Sequence, residues 1–500
     1  MSDQILRELL SPGPPALAVI GFLLFACWCF QHRRVDQTLA ALALYLGLLD
    51  GYVKLSTGSP FVTLARDVLV IAIALGVLLR TTASQQRLHL PPLGGFVLAF
   101  AAIVAVELFN PSAPGVRAGL AGARQHLEFV PLFFLGYAVM RSESRLRKLA
   151  IILVVCAAAG GVVSFIQSTL TPAELADWGP GYQQRIYGTG AFTGAGRVAF
   201  NDDGTIAVRP FGLGSDLGGG AFAAALALPA LMAMLMWARG GLRLAILPMA
   251  VALALAVATS GSRAGIVIAF VSVTAFALLV ATSRYASRLA VGLALAAVLI
   301  FAVFQQLGPS NSTAKRATTI TPTRFVTTYK RERGSSVAKV GEYAVRYPLG
   351  LGVGSVGAAG FAFGNREQYE QLNTETLWNF LVLEVGIPGM AVFIILLLTV
   401  LALASTRIPR VKDLTLRLNL AAIAAPLFAL LAASFAGPTT IGVPAGPFLW
   451  FAMGVLSYWL IRARVDLDPR RQAASTRPRD RRSPAGEPLD VGHAPEVVRV

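Results

Sequence analysis

Cysteine, histidine and charge are all scarce in this chain of 500 residues, and each scarcity closes off a class of function. The three cysteines, Cys27, Cys29 and Cys156, lie within apolar runs, so neither a disulfide framework nor a thiolate metal site is expected. The four histidines, His32, His89, His126 and His493, have no metal-ligand spacing, and no metal site is expected from them either. Charged residues make up 14% of the chain against 55% hydrophobic, which excludes an ordinary soluble domain. Short alternating segments, the mark of a transmembrane barrel, are missing. So is any internal repeat, which removes the sequence signal for the inverted-repeat architecture of many transporters. No basic segment precedes the first apolar run and no convincing small-residue cleavage site follows it. That run therefore reads as a span, not as a removed signal peptide.

What the chain has instead is hydrophobicity in helix-sized blocks. They recur at about 17–25 residues, the length that crosses a ~30 Å hydrocarbon core as helix. Backbone in lipid must satisfy its own hydrogen bonds, so such blocks specify a bundle of helices. Spans are read near 14–30, 37–53, 61–79, 92–109, 120–140, 149–170, 213–237, 242–259, 264–282, 288–304, 376–404, 413–434 and 441–461. The expected fold class is all-α: a polytopic helical membrane protein with about 12–13 transmembrane helices and two long extracytoplasmic loops. Residues 1–461 form one bundle, with the loops at about 171–210 and 305–375. Residues 462–500, rich in Arg, Pro, Ser and Asp, read as a disordered basic cytoplasmic tail.

The net charge of +17 invites a nucleic-acid reading, which its distribution argues against. One set of connections holds Arg33–Arg34, Arg80 and Arg87, the Arg141–Lys148 cluster, Arg239 and Arg243, Arg284 and Arg288, and the Arg407–Arg417 cluster, sixteen basic residues in all. The opposite set, leaving out the 305–375 loop, holds seven: Lys54, Arg117, Arg124, Arg185, Arg197, Arg209 and Arg263. The positive-inside rule puts the first set in the cytoplasm and turns both long loops outward. No nucleic-acid partner is expected. Membrane lipid is, since eight arginines lie between Arg462 and Arg482, within reach of anionic head groups.

Ionisable residues inside spans are costly, which makes each a functional suspect. Here they share a level. Asp50 ends the second span, Arg66 and Asp67 open the third, and Glu107 ends the fourth. Arg124, His126 and Glu128 open the fifth, Asp216 the seventh, Arg263 the ninth and Glu375 the eleventh. Glu384 lies deeper. Taken singly each has a plain reading, such as a local Arg66–Asp67 ion pair or end-of-helix polarity at Asp50 and Glu107. Together they describe a cavity open to the outer face, working on a polar head group at the membrane surface.

Four local patterns fall within this level. Arg209-Pro210-Phe211-Gly212-Leu213-Gly214 leads into a span, and an arginine before a Gly-rich helix entrance with free backbone N–H groups suits a phosphate. Its plain reading is a flanking residue and close helix packing. Ser262-Arg263-Ala264 makes a tight outward turn. Tyr347-Pro348-Leu349-Gly350-Leu351-Gly352-Val353-Gly354 is a Gly-rich segment with no Lys-Ser/Thr after it, so it is not a nucleotide loop. Last, Glu375 stands nine residues before Glu384-Val385-Gly386-Ile387-Pro388-Gly389, where Glu384 reads as structural beside a Gly/Pro break.

In this order and spacing, over roughly 110–400, the patterns resemble the O-antigen ligase/polymerase superfamily of bacterial membrane glycosyltransferases. The ligases carry His where this chain has Glu375, and Asn where it has Thr376, which favours a polymerase or another carboxylate-using relative. The resemblance implies a polytopic enzyme of the bacterial inner (cytoplasmic) membrane with its active face extracytoplasmic. It would need no metal or other cofactor. The donor would be a polyprenyl-pyrophosphate-linked glycan and the acceptor another glycan or a lipid, alongside other polysaccharide-assembly proteins. Glu375 would be the catalytic base, while Arg209, Arg263, Arg124 and Arg346 would bind the pyrophosphate and Asp216 and Glu384 would support them. The competing expectation is a membrane transporter or lipid-linked glycan flippase, which would show polar groups at mid-depth and broken helices.

Overall fold

The apolar blocks do form helices. A computed structural model of the chain describes residue 28, residues 35–83, 90–188, 198–200, 206–216, 218–260, 262–281, 327, 329, 334–363, 372 and 374–463. The expected spans 14–30 and 288–304 lie outside the described residues, Trp28 apart, as does the tail from 464 onward. Within the described residues the protein is an all-α polytopic membrane protein. Five helices are long and apolar enough to cross a bilayer. They are α1 (Val35–Thr57), α6 (Glu143–Thr169), α9 (Gly219–Trp237), α14 (Leu377–Arg407) and α15 (Leu414–Ala433). Between them come α2 (Pro60–Ala83), α3 (Gly94–Glu107), α4 (Val116–Leu127), α5 (Pro131–Val139), α10 (Gly241–Thr259), α11 (Arg263–Val280) and α16 (Ala445–Ser457).

Helices α9 and α15 form the middle of the bundle and are buried on nearly all sides, packed against each other and against α6, α10 and α11. Their apolar residues carry no amphipathic stripe because every face meets another helix. The large exposed hydrophobics, among them Ile71, Leu98, Phe270, Ile395 and Leu398, lie on the outer helices, where a bilayer would cover them.

Two departures from the expected spans have local causes. The stretch 120–140 is not one helix. Pro131 has no N–H to donate, and the chain tightens through Val130 N–H to Leu127 O (3.1 Å) and Phe133 N–H to Val130 O (3.1 Å). The result is a polar helix, α4, followed by the short apolar α5. The second is α14, whose helical path breaks at Gly386 (φ 62°, ψ −171°), two residues before Pro388.

The 171–210 loop has structure of its own. It holds α7 (Pro172–Ala176), α8 (Pro180–Tyr187) and a hairpin pairing β1 (Val198–Phe200) with β2 (Ile206–Val208) in the register Val198↔Val208. A capping box closes α7: the Thr171 N–H and hydroxyl both donate to Glu174 and hold its carboxyl below the usual range. Tyr182 of α8 packs edge-on against Trp178 and Phe211, and burial pushes its phenol upward. From the 305–375 loop, α12 (Ser335–Arg346) and α13 (Gly357–Phe363) are described.

The bundle has two unlike ends. At one, Arg145 lies 3.9 Å from Asp36, Arg243 donates to Ala238 O, Trp459 donates to Met140 O, and Arg407 donates to Leu460 O. Arg145, Arg243 and Arg407 belong to the richer basic set of the sequence. At the other end Asp50, Arg66, Glu107, Glu128, Gln167 and Glu375 collect, together with the described loop elements.

Candidate functional site

Helix α4 organises that second end because its two sides carry different chemistry. Gly119, Gly122 and His126 recur at three- and four-residue spacing and share one face, while Arg124 and Glu128, four apart, share another. On the Arg124 side lies a connected ion-pair network. Arg66 from α2 reaches Glu128 at 2.8 Å, Asp67 at 3.3 Å and Asp50 of α1 at 3.4 Å. Arg124 closes the circuit, contacting Asp67 and lying 3.6 Å from Glu128. The Arg66 side chain is only 6% exposed, whereas that of Arg124 is 37% exposed. The arginine at the centre is structural, and the one at the edge still meets solvent. The Arg66–Asp67 pair read from sequence as local is thus one arm of an assembly joining three helical segments.

On the other face of α4 sits the Gly-rich segment. Glu384 of α14 is fully buried, with His126 Nε2 at 2.7 Å from its Oε2. Its other oxygen accepts from Gly354 N–H (3.1 Å) and Val356 N–H (3.2 Å). The segment is pinned again where Leu351 N–H donates to Leu383 O and Ile387 N–H donates to Pro348 O. The break at Gly386 makes the second of these possible by freeing the α14 backbone toward the loop. Gly354 has φ +82°, and a Cβ there would stand 1.9 Å from Ala118 O of α4, so only glycine fits. Glu384 therefore joins α4, α14 and the Gly-rich segment, the architectural role read from its position.

Glu384→Ala is expected to orphan two buried N–H donors, at roughly 1–3 kcal/mol each. Faster hydrogen exchange at Gly354 and Val356, with amides around Arg66 unchanged, is the measurement that checks it. Unchanged exchange at both would contradict the tether. Gly354→Ala is expected to disturb the same junction through a clash with Ala118, costing roughly 1–3 kcal/mol of stability, read as a lowered unfolding midpoint.

Glu375 lies just ahead of α14 and is exposed; Ser336 Oγ of α12 donates to its Oε2 at 3.1 Å. Thr376 caps the helix through Asn379 N–H, and Asn379 Nδ2 donates to Ser336 O at 2.7 Å. A buried polar clamp thus fixes the backbone beside Glu375 while its carboxylate faces outward.

The Arg209 segment corrects part of the sequence reading. Its N–H groups at Phe211 and Gly212 are not free for an anion, because Gln167 Oε1 accepts from both at 2.8 Å. Gly214, Gly218 and Gly219 N–H groups donate within the turn to Phe211, Pro210 and Asp216 carbonyls. The turn uses its amides to fold on itself and on α6, which leaves the half-buried Arg209 side chain as its candidate anion contact. The turn also packs on α1, where Gly51, next to Asp50, meets Leu213 O and Gly214.

The remaining residues occupy separate positions at the same end. Asp216 is exposed and pairs with Arg185 of α8 at 3.6 Å. Arg346 ends α12, exposed, with its guanidinium 5.3 Å from the Tyr347 ring centre. Arg263 is the first residue of α11, after the Ser262 cap; its side chain lies outside the described residues. Comparison of the chain with protein-family models, with curated proteins and with solved structures finds no match. Among the described residues no group of His, Cys, Asp and Glu is arranged to hold a metal ion.

Three residues that matter here escaped sequence reasoning as participants. They are Gln167, Ser336 and Asn379. The pairing of His126 with Glu384, 258 residues apart in sequence, left no local signal at all.

Proposed function

We propose that the protein is a membrane glycosyltransferase that moves a glycan from a polyprenyl-pyrophosphate carrier to an acceptor hydroxyl, in the assembly of a cell-surface polysaccharide. The observation that carries this reading is the gathering of Asp50, Arg66, Asp67, Glu107, Arg124, Glu128 and Glu375 at a single end of an otherwise apolar bundle. Such a site serves a substrate whose polar head stands at the membrane surface while its lipid stays in the bilayer. Charges there cost little where water reaches them and bind strongly where it does not.

In this scheme the acceptor oxygen attacks the anomeric carbon and its proton passes to Glu375. The bond between that carbon and the phosphate oxygen breaks, leaving the pyrophosphate on its lipid with inversion at the sugar. Arg209, Arg263 and Arg346 meet the departing charge through bidentate hydrogen bonds. Arg124 contributes from the rim of the ion-pair network, its orientation set by Asp67 and Glu128. Glu384 and Asp216 act only by holding backbone and loop. The positive-inside rule turns this face outward, and the resemblance to the O-antigen ligase/polymerase superfamily implies the inner membrane of a bacterium.

The test is reconstitution: purified protein in liposomes with a lipid-linked oligosaccharide, analysed for longer lipid-linked chains. Transfer to a different acceptor would make it a ligase. A second reading, a transporter or glycan flippase, draws on the break in α14 at Gly386 and the π-helical turn Tyr45–Leu49 within α1, since broken helices accompany transport sites. Vectorial movement of substrate without any new glycosidic bond would favour that reading and sink the first.

A further inference from the structure

A cavity of about 390 Å³ lies within the bundle between α1, α6, α9 and α16. Its wall is largely hydrocarbon, including Leu39, Leu42, Leu46, Ile152, Leu226 and Phe448. The α6 residues that line it run from Arg145 to Gly160, which is about 22 Å of helix at 1.5 Å per residue. A modest volume spread over that length is long and narrow, the shape of one hydrocarbon chain.

Among the described residues, the charges in the wall are all at one end. Asp36, Gln37, Arg145 and Lys148 line the cavity there, and Leu213, Gly214, Gly219 and Gly220 line the other end. Arg145 is held in place by its bond to Val139 O (2.8 Å) and by Asp36 at 3.9 Å, while Lys148 is exposed. This is the end opposite Glu375 and the Arg66 network.

We propose that this cavity binds an anionic glycerophospholipid, with one acyl chain inside and the phosphate on Arg145 and Lys148. An apolar void bordered by bilayer fills most favourably with hydrocarbon, whose contacts the walls otherwise lose. Basic side chains at the mouth of a crevice between transmembrane helices select an anionic head group. The polarity of the charges decides which lipid. A carrier with its phosphate at the Glu375 end would set that phosphate against Leu213 and glycines, with no cation among the described residues of the wall. The inference does not rest on the glycosyltransferase reading.

Delipidated full-length protein in detergent, titrated with dioleoylphosphatidylglycerol, dioleoylphosphatidylcholine or a polyprenyl phosphate under native mass spectrometry, tests it. Two basic residues at roughly fivefold each give an expected preference of about 25-fold for phosphatidylglycerol over phosphatidylcholine. Lys148→Glu, on an exposed side chain, should cut that preference by at least about fivefold, and R145E/K148E should abolish it. Ala157→Phe, which projects into the cavity, should lower retention of phosphatidylglycerol. Should that variant fail to fold, Lys148→Glu still decides the outcome. Equal binding of the two phospholipids, or an undiminished preference in R145E/K148E, would overturn the proposal. So would a polyprenyl phosphate that displaces phosphatidylglycerol and binds R145E/K148E as well as the wild type, since its phosphate would then sit at the other end.

Discussion

Arg66→Ala is expected to destabilise the folded bundle by roughly 3–5 kcal/mol, the cost of removing one partner from a buried ion pair. Arg66 faces Asp50, Asp67 and Glu128 at once, and Asp50 is fully buried. Without the guanidinium, three carboxylates from three helical segments converge with Arg124, at the edge, and Lys54 of α1 left to offset them. Their mutual repulsion and the desolvation of Asp50 act in the same direction. The measurement is the unfolding midpoint of the purified protein in detergent. Arg185→Ala is the control: its pair with Asp216 is partly solvated, with side chains 26% and 64% exposed, and its loss should fall within about 1 kcal/mol. Adding Asp50→Asn to Arg66→Ala should recover part of the loss, because a neutral amide is cheaper to bury than an orphaned carboxylate. An Arg66→Ala protein that unfolds at the wild-type midpoint would show that the network holds nothing together.

The second large effect is on rate. Under the proposed glycosyltransferase function, Glu375→Gln should lower glycan transfer by about 10²–10⁴-fold, equivalent to roughly 3–5 kcal/mol of barrier, while leaving the unfolding midpoint nearly unchanged. Glutamine keeps an oxygen to accept the Ser336 hydroxyl at the same place, so α12 and α14 stay joined. What it loses is the capacity to take a proton. A different role is available to a carboxylate ahead of a helix, namely favourable interaction with the N-terminal dipole, worth about 0.3–1 kcal/mol. The two roles differ in both size and observable. Full transfer activity with a slightly lowered midpoint would assign Glu375 to the dipole and remove it from the chemistry.

Much of this architecture was legible in the residues. Helix-sized apolar blocks predicted helices at most of the described spans, and the basic residues Arg145 and Arg407 lie together at one end of the bundle. The crowding of ionisable residues at one level was visible before any coordinates, because each falls at the margin of an apolar block. Glu384 was readable as structural from its depth beside Gly386 and Pro388. Two readings failed for reasons of backbone chemistry. The 120–140 block has enough apolar residues to suggest one span, yet Pro131 interrupts its hydrogen-bond ladder and leaves α4 a polar helix. The Gly-rich turn after Arg209 has the composition of an anion cradle, but Gln167 and the turn's own carbonyls take the amides it would have offered.

The sequence by itself determined that this is a helical membrane protein with a polar and an apolar partition along its depth. Hydrophobic block length and the placement of charge are one-dimensional properties, and lipid enforces both. Tertiary structure alone decided who meets whom: that Arg66 serves three carboxylates, that His126 finds Glu384 across the bundle, and that the charges of the inner cavity stand opposite Glu375. Those contacts join residues tens to hundreds of positions apart, and their geometry depends on how helices pack, which no spacing along the chain encodes.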